Sequence, residues 1–203
     1  NFSGLGLLEQ VVCSLGVGYT ERMERALQIV GFNSRNDRQK DDYYATPTEA
    51  TQALLAVETF EGPIWEPCCG EGHISKVLLE NGYKVHSTDL VDRGYGVPRI
   101  DALMERRHST SIITNPPYKN ALEFAEHFTD YADKTALLLK LNFLEGVKRK
   151  EFFQRKPPVR VHVFSARQAL MKNGHRYEGG GMMALAWFVW EKGSCELPTI
   201  SWI

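Results

Sequence analysis

Residues Gly62-Pro63-Ile64-Trp65-Glu66-Pro67-Cys68-Cys69-Gly70-Glu71-Gly72 read as a short strand, Gly62 to Pro67, that runs into a two-glycine turn and then a helix through Leu79. Gly70 and Gly72 let the backbone approach a ligand with no Cβ in the way. A Gly-x-Gly that follows a strand, opens a helix and is preceded by Glu-Pro says more than the bare pattern. Lys84 to Thr88 forms the next strand and ends at Asp89, seventeen residues after Gly72. An acid at that strand end accepts from two vicinal ribose hydroxyls, as dinucleotide folds do about 20 residues after their glycines. The order strand, glycine turn, helix, strand belongs to an α/β sheet.

Two further segments carry chemistry. Ser111-Ile112-Ile113-Thr114 leads as a strand into Asn115-Pro116-Pro117-Tyr118, and Asn120 opens an amphipathic helical run over Ala121 to Tyr131. Proline locks its own φ and restricts the residue before it, so Asn115 and Pro116 are both held extended. A side-chain amide oxygen and a neighbouring carbonyl can then accept from one planar NH2 group, and Tyr118 offers a ring for stacking. Upstream, Tyr43-Tyr44-Ala45-Thr46-Pro47 reads as a helix start, with Thr46 as N-cap, Pro47 at the first helical position and Glu49 closing a capping box.

In this order, Thr-Pro, Glu-Pro-x-x-Gly-x-Gly, two acids and Asn-Pro-Pro-Tyr resemble the class I S-adenosylmethionine-dependent amino-methyltransferases. The likeness is to those that make N6-methyladenine, and most of all to small phage or prophage DNA adenine methyltransferases. It covers about residues 43–190. It implies a Rossmann-like α/β sandwich over residues 43–203, with a seven-stranded, mostly parallel sheet whose last strand is antiparallel. It implies a catalytic set of Asn115, Pro116, Pro117 and Tyr118. Cofactor contacts are implied from Tyr44, Thr46, Glu66, Cys68, Gly70 and Gly72, and further from Asp89, Leu90, Asp101, Ala102 and Asn115. The absence of a basic anchor after the glycines favours S-adenosyl-L-methionine over NAD. The family's helix between Asp89 and Asp101 is expected to be short or missing, because Gly94, Gly96 and Pro98 interrupt it.

The implied reaction is methyl transfer to the N6 amine of adenine in DNA, with the base flipped out or unpaired. Related Asn-Pro-Pro motifs also serve RNA bases and the glutamine of release factors. A reading of a different class is an inactive, nucleic-acid-binding subunit that keeps the fold. No stretch after the core is long enough for a separate recognition domain. Target choice then rests on loops 143–158 and 166–181, or is loose.

The rest of the chain is plainer. Residues 5–16, with Leu8, Val11, Val12 and Leu15 on one face, and a second helix after Thr20 ending at Gly31, form a short helical appendage. A polar linker brings this part to residue 42. Thr135 to Leu141 reads as a strand buried on both faces, Val159 to Ser165 as a sixth strand and Met183 to Trp190 as the last. Lys148, Arg149, Lys150, Arg155, Lys156 and Arg160 stand against the lone Glu151, with Arg167 in the following loop. As a phosphate footprint, six contacts would weaken binding ~1000-fold between 50 and 200 mM salt.

Composition sets the frame. The 203 residues carry a net charge of −1, which offers no global attraction to nucleic acid, so such binding needs a local patch. No apolar run approaches the ~20 residues of a membrane span, and a cytoplasmic setting in a bacterial or phage-infected cell is expected. Leu5 to Val17 is broken by Glu9 and Gln10 with no basic residue ahead, unlike a signal peptide. The start at Asn1 is read as a trimmed terminus. Cys13, Cys68, Cys69 and Cys195 lack zinc spacing and read as reduced thiols.

Overall fold

The computed structural model describes residues 43–166, 171–172, 175–176 and 183–203. The helical reading of residues 1–42 lies outside the described residues, as does Arg167 with most of the loop to Gly181. The strands are β1 (Ile64–Glu66), β2 (Val85–Asp89), β3 (Val97–Pro98), β4 (Ser109–Thr114), β5 (Ala132–Lys140), β6 (Arg160–Val163), β7 (Met171–Lys172), β8 (His175–Arg176), β9 (Leu185–Glu191) and β10 (Thr199–Trp202). The helices are α1 (Thr48–Val57), α2 (His73–Glu80), α3 (Ala121–Tyr131) and α4 (Val147–Arg155).

Eight strands form the main sheet, in the order β10-β6-β9-β5-β4-β1-β2-β3. β9 runs antiparallel to both its neighbours, while the other paired strands run parallel. β7 and β8 pair antiparallel as a separate ribbon. Seven strands of the main sheet match the expected class I arrangement, and β10 adds an eighth at the edge beside β6. Sequence reading stopped at Trp190, although Thr199-Ile200-Ser201-Trp202 has the β-branched and aromatic content of a strand.

The central strands are apolar on both faces, and each face takes its own helices. Ile112, Leu137 and Phe188 pack with Phe128 of α3 and Phe152 of α4. Their chain neighbours Ile113, Leu138 and Trp187 pack with Leu54 of α1 and Ile74 and Leu78 of α2. This two-sided burial explains why β5 and β9 read as unbroken apolar runs. Between Asp89 and Asp101 the chain forms no helix; it turns through Gly94 and Gly96, both left-handed, into the two-residue β3. Among the described residues, no helix is long and apolar enough to cross a membrane.

One local expectation is corrected. Helix α1 starts at Thr48, with Pro47 in the cap position and no side-chain cap. The Ala50 N–H bonds the Pro47 carbonyl at 3.0 Å. Thr46 therefore caps nothing, because its hydroxyl is engaged by another part of the chain.

Candidate functional site

The carboxyl ends of β1, β2 and β4 reach the same sheet edge, at the point where strand order turns back from β1 to β4. Open α/β sheets bind ligands in that crevice. Glu66, Asp89 and Asn115 follow or end these three strands.

Asp89 organises the glycine turn. Its Oδ2 accepts from the Gly70 N–H at 2.8 Å and its Oδ1 from the Val91 N–H at 2.8 Å. Each carboxylate oxygen keeps further acceptor capacity, so a diol could still be bound. The Asp89 carbonyl accepts from Ile100 N–H at 3.0 Å, which brings the Asp101 segment alongside. Asp101 is exposed, and one of its oxygens accepts from the Leu103 N–H at 3.0 Å. Leu90, next to Asp89, is 61% exposed. Ala102 instead lies in the core with Trp65 and Ile112.

Gly70 (φ +55°) and Gly72 (φ +80°) are both left-handed. A Cβ on Gly70 would fall 2.3 Å from the Tyr43 ring, and one on Gly72 2.5 Å from the Tyr95 ring. Conformation and space both demand glycine here. Sequence reading missed the two tyrosines that lie over the turn. The Tyr43 hydroxyl accepts from the Glu71 N–H at 3.3 Å, and the Arg93 guanidinium lies 4.2 Å from the Tyr43 ring centre. Lys76 sits 5.2 Å from the ring centre of Tyr95.

Glu66 is sealed in. Its side chain accepts from the Ser75 hydroxyl of α2, and the residue is 1% exposed. The carboxyl of this expected cofactor contact is bonded to α2 rather than displayed on the turn. Burial pushes that carboxyl up to about 8 against the lowering effect of Ser75, with the charge of Asp89 adding to the rise. Cys68 and Cys69 flank the same turn. Burial raises the Cys68 thiol well above its usual range and the Cys69 thiol to about 12.

The Glu66 carboxyl makes stability depend on pH with a definite sign. Its native value lies above the unfolded carboxylate range, so its cost is absent at low pH. The cost grows as pH rises from about 4.5 to 8, while the unfolded chain ionises freely and the native chain holds its proton. Glu66→Gln is expected to gain on the parent by at least ~1.4 kcal/mol between pH 5 and pH 8, one pH unit's worth of linkage. Urea denaturation of both proteins at the two pH values measures this; parallel pH profiles would refute it.

Asn115 is held by the segment that precedes α1. Its Nδ2 donates to the Tyr44 carbonyl at 3.0 Å and to Thr46 Oγ1 at 3.1 Å. Its Oδ1 is buried and has no hydrogen-bond partner among the described residues. An unmet buried acceptor costs about 1–3 kcal/mol, which an incoming N–H donor would recover. Pro116 is buried, while Pro117 and Tyr118 are half-buried. The Tyr118 ring is already engaged, stacked on Tyr44 with centroids 5.9 Å apart and with Lys140 Nζ 5.0 Å from its centre. A base stacking on it would share or replace one of these contacts.

The basic residues do not form one patch. Helix α4 follows the carboxyl end of β5 and therefore starts at the Asn115 edge, carrying Lys148, Arg149 and Lys150 there. Val147, 83% exposed, and Leu144 stand beside them. Arg155, Lys156 and Arg160 lie at the helix's far end and at the opposite sheet edge, each with an acidic partner. Arg155 bonds Glu126 at 3.0 Å, Lys156 pairs with Asp130, and Arg160 pairs with Glu58 and Glu191. In the structure these three, expected as phosphate contacts, are held in intramolecular pairs.

Sheet order, glycine turn and acidic strand end together define a Rossmann-like α/β sandwich of the class I methyltransferase type. No protein-family model matches the chain, and no curated protein matches it by sequence. Among solved structures it is similar to the modification subunit of a proposed type I restriction enzyme from Vibrio vulnificus YJ016. That likeness has TM-score 0.55, 11% identity, 86% coverage of this chain and 48% of the subunit, so the chain spans about half the subunit's length. A proposed RNA methyltransferase from Pyrococcus horikoshii gives TM-score 0.58 at 14% identity, covering 83% of this chain and 97% of that one. The 23S rRNA methyltransferase ErmE gives TM-score 0.52 at 11% identity, covering 76% and 72%. At these identities the likeness is one of fold.

Proposed function

We propose that the chain is an S-adenosylmethionine-dependent amino-methyltransferase acting on the N6 amine of adenine in DNA, with the base flipped out or already unpaired. The observation that carries this reading is the Asn115 amide, whose NH2 is fully engaged while its buried oxygen lacks a partner. The residues present fit the cofactor. Gly70 and Gly72 keep the turn free of Cβ atoms, Asp89 retains acceptor capacity for a ribose, and Leu90 presents apolar surface beside it. When bound, S-adenosylmethionine supplies an electrophilic methyl group on a sulfonium.

The chain's own task is to make a poor nucleophile react. The exocyclic lone pair of adenine is delocalised into the ring. If Asn115 Oδ1 and the Pro116 carbonyl accept its two hydrogens, the nitrogen can pyramidalise as it attacks. Those bonds strengthen as positive charge grows on nitrogen, so they favour the transition state over the ground state. One amine proton then leaves to water, and no covalent enzyme intermediate is required. Orientation of the amine supplies much of the rest.

The test is transfer of labelled methyl groups to unmethylated duplex DNA, single-stranded DNA, RNA and a release factor. Label in DNA that digests to N6-methyl-2′-deoxyadenosine is the expected result. Label only in RNA or protein would overturn the substrate, and the neighbours named as RNA methyltransferases make RNA the alternative to watch. Cofactor binding without any transfer would make the chain an inactive subunit.

Lys148, Arg149 and Lys150 are the proposed phosphate contacts. Three contacts give a log–log salt slope near −2.7, about a 40-fold loss of affinity between 50 and 200 mM. Reversing all three to Glu is expected to abolish that salt dependence in a fluorescence-anisotropy titration. Reversal at Arg155 and Lys156, already paired with Glu126 and Asp130, is expected to leave it in place. Equal losses from both variants would refute the division.

A further inference from the structure

We infer that Thr46 is a positioning residue for Asn115, setting which end of its amide faces the reacting group; this rests on the function proposed above. The resemblance made Thr46 a cofactor contact, and its local sequence made it a helix cap. In the structure it is neither helical nor a cap, since α1 begins beyond it with no side-chain cap bond. Its side chain is buried, 3% exposed, and its Oγ1 accepts from Asn115 Nδ2 at 3.1 Å.

The geometry fixes the amide uniquely. An Asn amide can be flipped by half a turn with little change in shape, so its partners decide which atom is oxygen. The Tyr44 carbonyl lies 3.0 Å from one end and can only accept, which makes that end the nitrogen. The flipped amide would set oxygen against that carbonyl and leave both N–H groups at the position now held by Oδ1. Tyr44 supplies a backbone atom and therefore takes one hydrogen whatever its side chain is. The second hydrogen has Thr46 Oγ1 as its acceptor. With both donors used, rotation of the amide breaks two bonds at once, and Oδ1 is left as the acceptor for a target amine. The same three-residue segment grips the far end of the motif, because the Tyr44 ring stacks on Tyr118.

Thr46→Val removes the acceptor at nearly constant volume, and Thr46→Ser restores it. We expect Thr46→Val to lower kcat ~10–100-fold, as loss of an orienting partner does. Cofactor affinity by calorimetry and the cofactor KM should stay within about two-fold of the parent. Thr46→Ser should recover most of the rate. A readout independent of activity is the Asn115 side-chain NH2 pair in 1H–15N spectra, which should shift and exchange faster in Thr46→Val and return in Thr46→Ser. A Thr46→Val variant with parental kcat and an unchanged amide pair would overturn the inference. So would a loss of cofactor affinity matching the loss of rate, which would return Thr46 to the cofactor. If the parent protein transfers no methyl group, the proposed function fails, and the amide spectra still decide whether Thr46 holds Asn115.

Discussion

Asn115→Ala is expected to lower the proposed methyl transfer by ~10²–10³-fold, the range found when one preorganised group at a reacting centre is removed. The loss is expected in kcat, because it falls on the developing charge at the amine. A second substitution separates charge from geometry. Asn115→Asp offers a stronger acceptor to a cationic transition state, yet it also sets a carboxylate oxygen about where Nδ2 now donates to the Tyr44 carbonyl at 3.0 Å. Two acceptors at that distance repel, so the Asp variant is expected to be as impaired as the Ala variant. Initial rates of both, beside a thermal melt to verify folding, make the measurement. An active Asp variant would mean that the clamp on the amide nitrogen is irrelevant and that only an acceptor is required.

The second large effect is structural and sits at the opposite edge of the sheet. The Glu58 side chain is 2% exposed and is shared by three cationic or potentially cationic groups. Lys134 bonds it at 2.6 Å, Arg160 pairs with it in two places, and His162 Nε2 lies 2.8 Å away. Burial alone would raise this carboxyl, but hydrogen bonds from His162, Arg160 and Lys134 outweigh it and bring the group down to about 2. Because the native value lies below the unfolded one, this stability is present at neutral pH and is lost as pH falls from about 4.5 towards 2. Glu58→Gln leaves Lys134 and Arg160 short of a buried counter-charge, and a broken buried pair costs about 3–5 kcal/mol. The melting temperature should fall by roughly 10 °C for a chain of this size. The variant should also lose part of the acid dependence that the parent shows in that window. A change below ~1 kcal/mol would mean that water screens the network.

This network also explains why a charge count along the chain groups basic residues that the fold separates. Six basic residues between 148 and 160 look like one cluster when counted in a line. Nine residues of α4 rise ~13 Å, enough to carry the two ends of the run to opposite sheet edges. The first three stay at the Asn115 edge, and the last three meet Glu126, Asp130, Glu58 and Glu191, which are distant in sequence. The tyrosines over the glycine turn were missed for a related reason. Tyr43 and Tyr95 stand 27 and 23 residues away from Gly70 and Gly72, and no local pattern links them.

Residue order alone determined the parts ruled by neighbours in the chain. The glycine turn between strand and helix, Asp89 at the next strand end and six strands of the main sheet follow from periodicity and glycine conformation over windows of a few residues, whereas the seven-stranded order and the shortened helix before Asp101 were implied by the resemblance. Tertiary structure decided every feature in which two segments compete for one hydrogen bond or one charge. Thr46 satisfies the local rule for a helix cap, but its hydroxyl is taken by Asn115, 69 residues on. Glu66 closes the first strand as a motif acid, but burial outweighs its hydrogen bond with Ser75 and raises its carboxyl to about 8 beneath the turn. A polar atom has few partners to choose from, and once the sheet brings distant strand ends together, the partner with the best geometry in low dielectric wins over the nearest one in sequence.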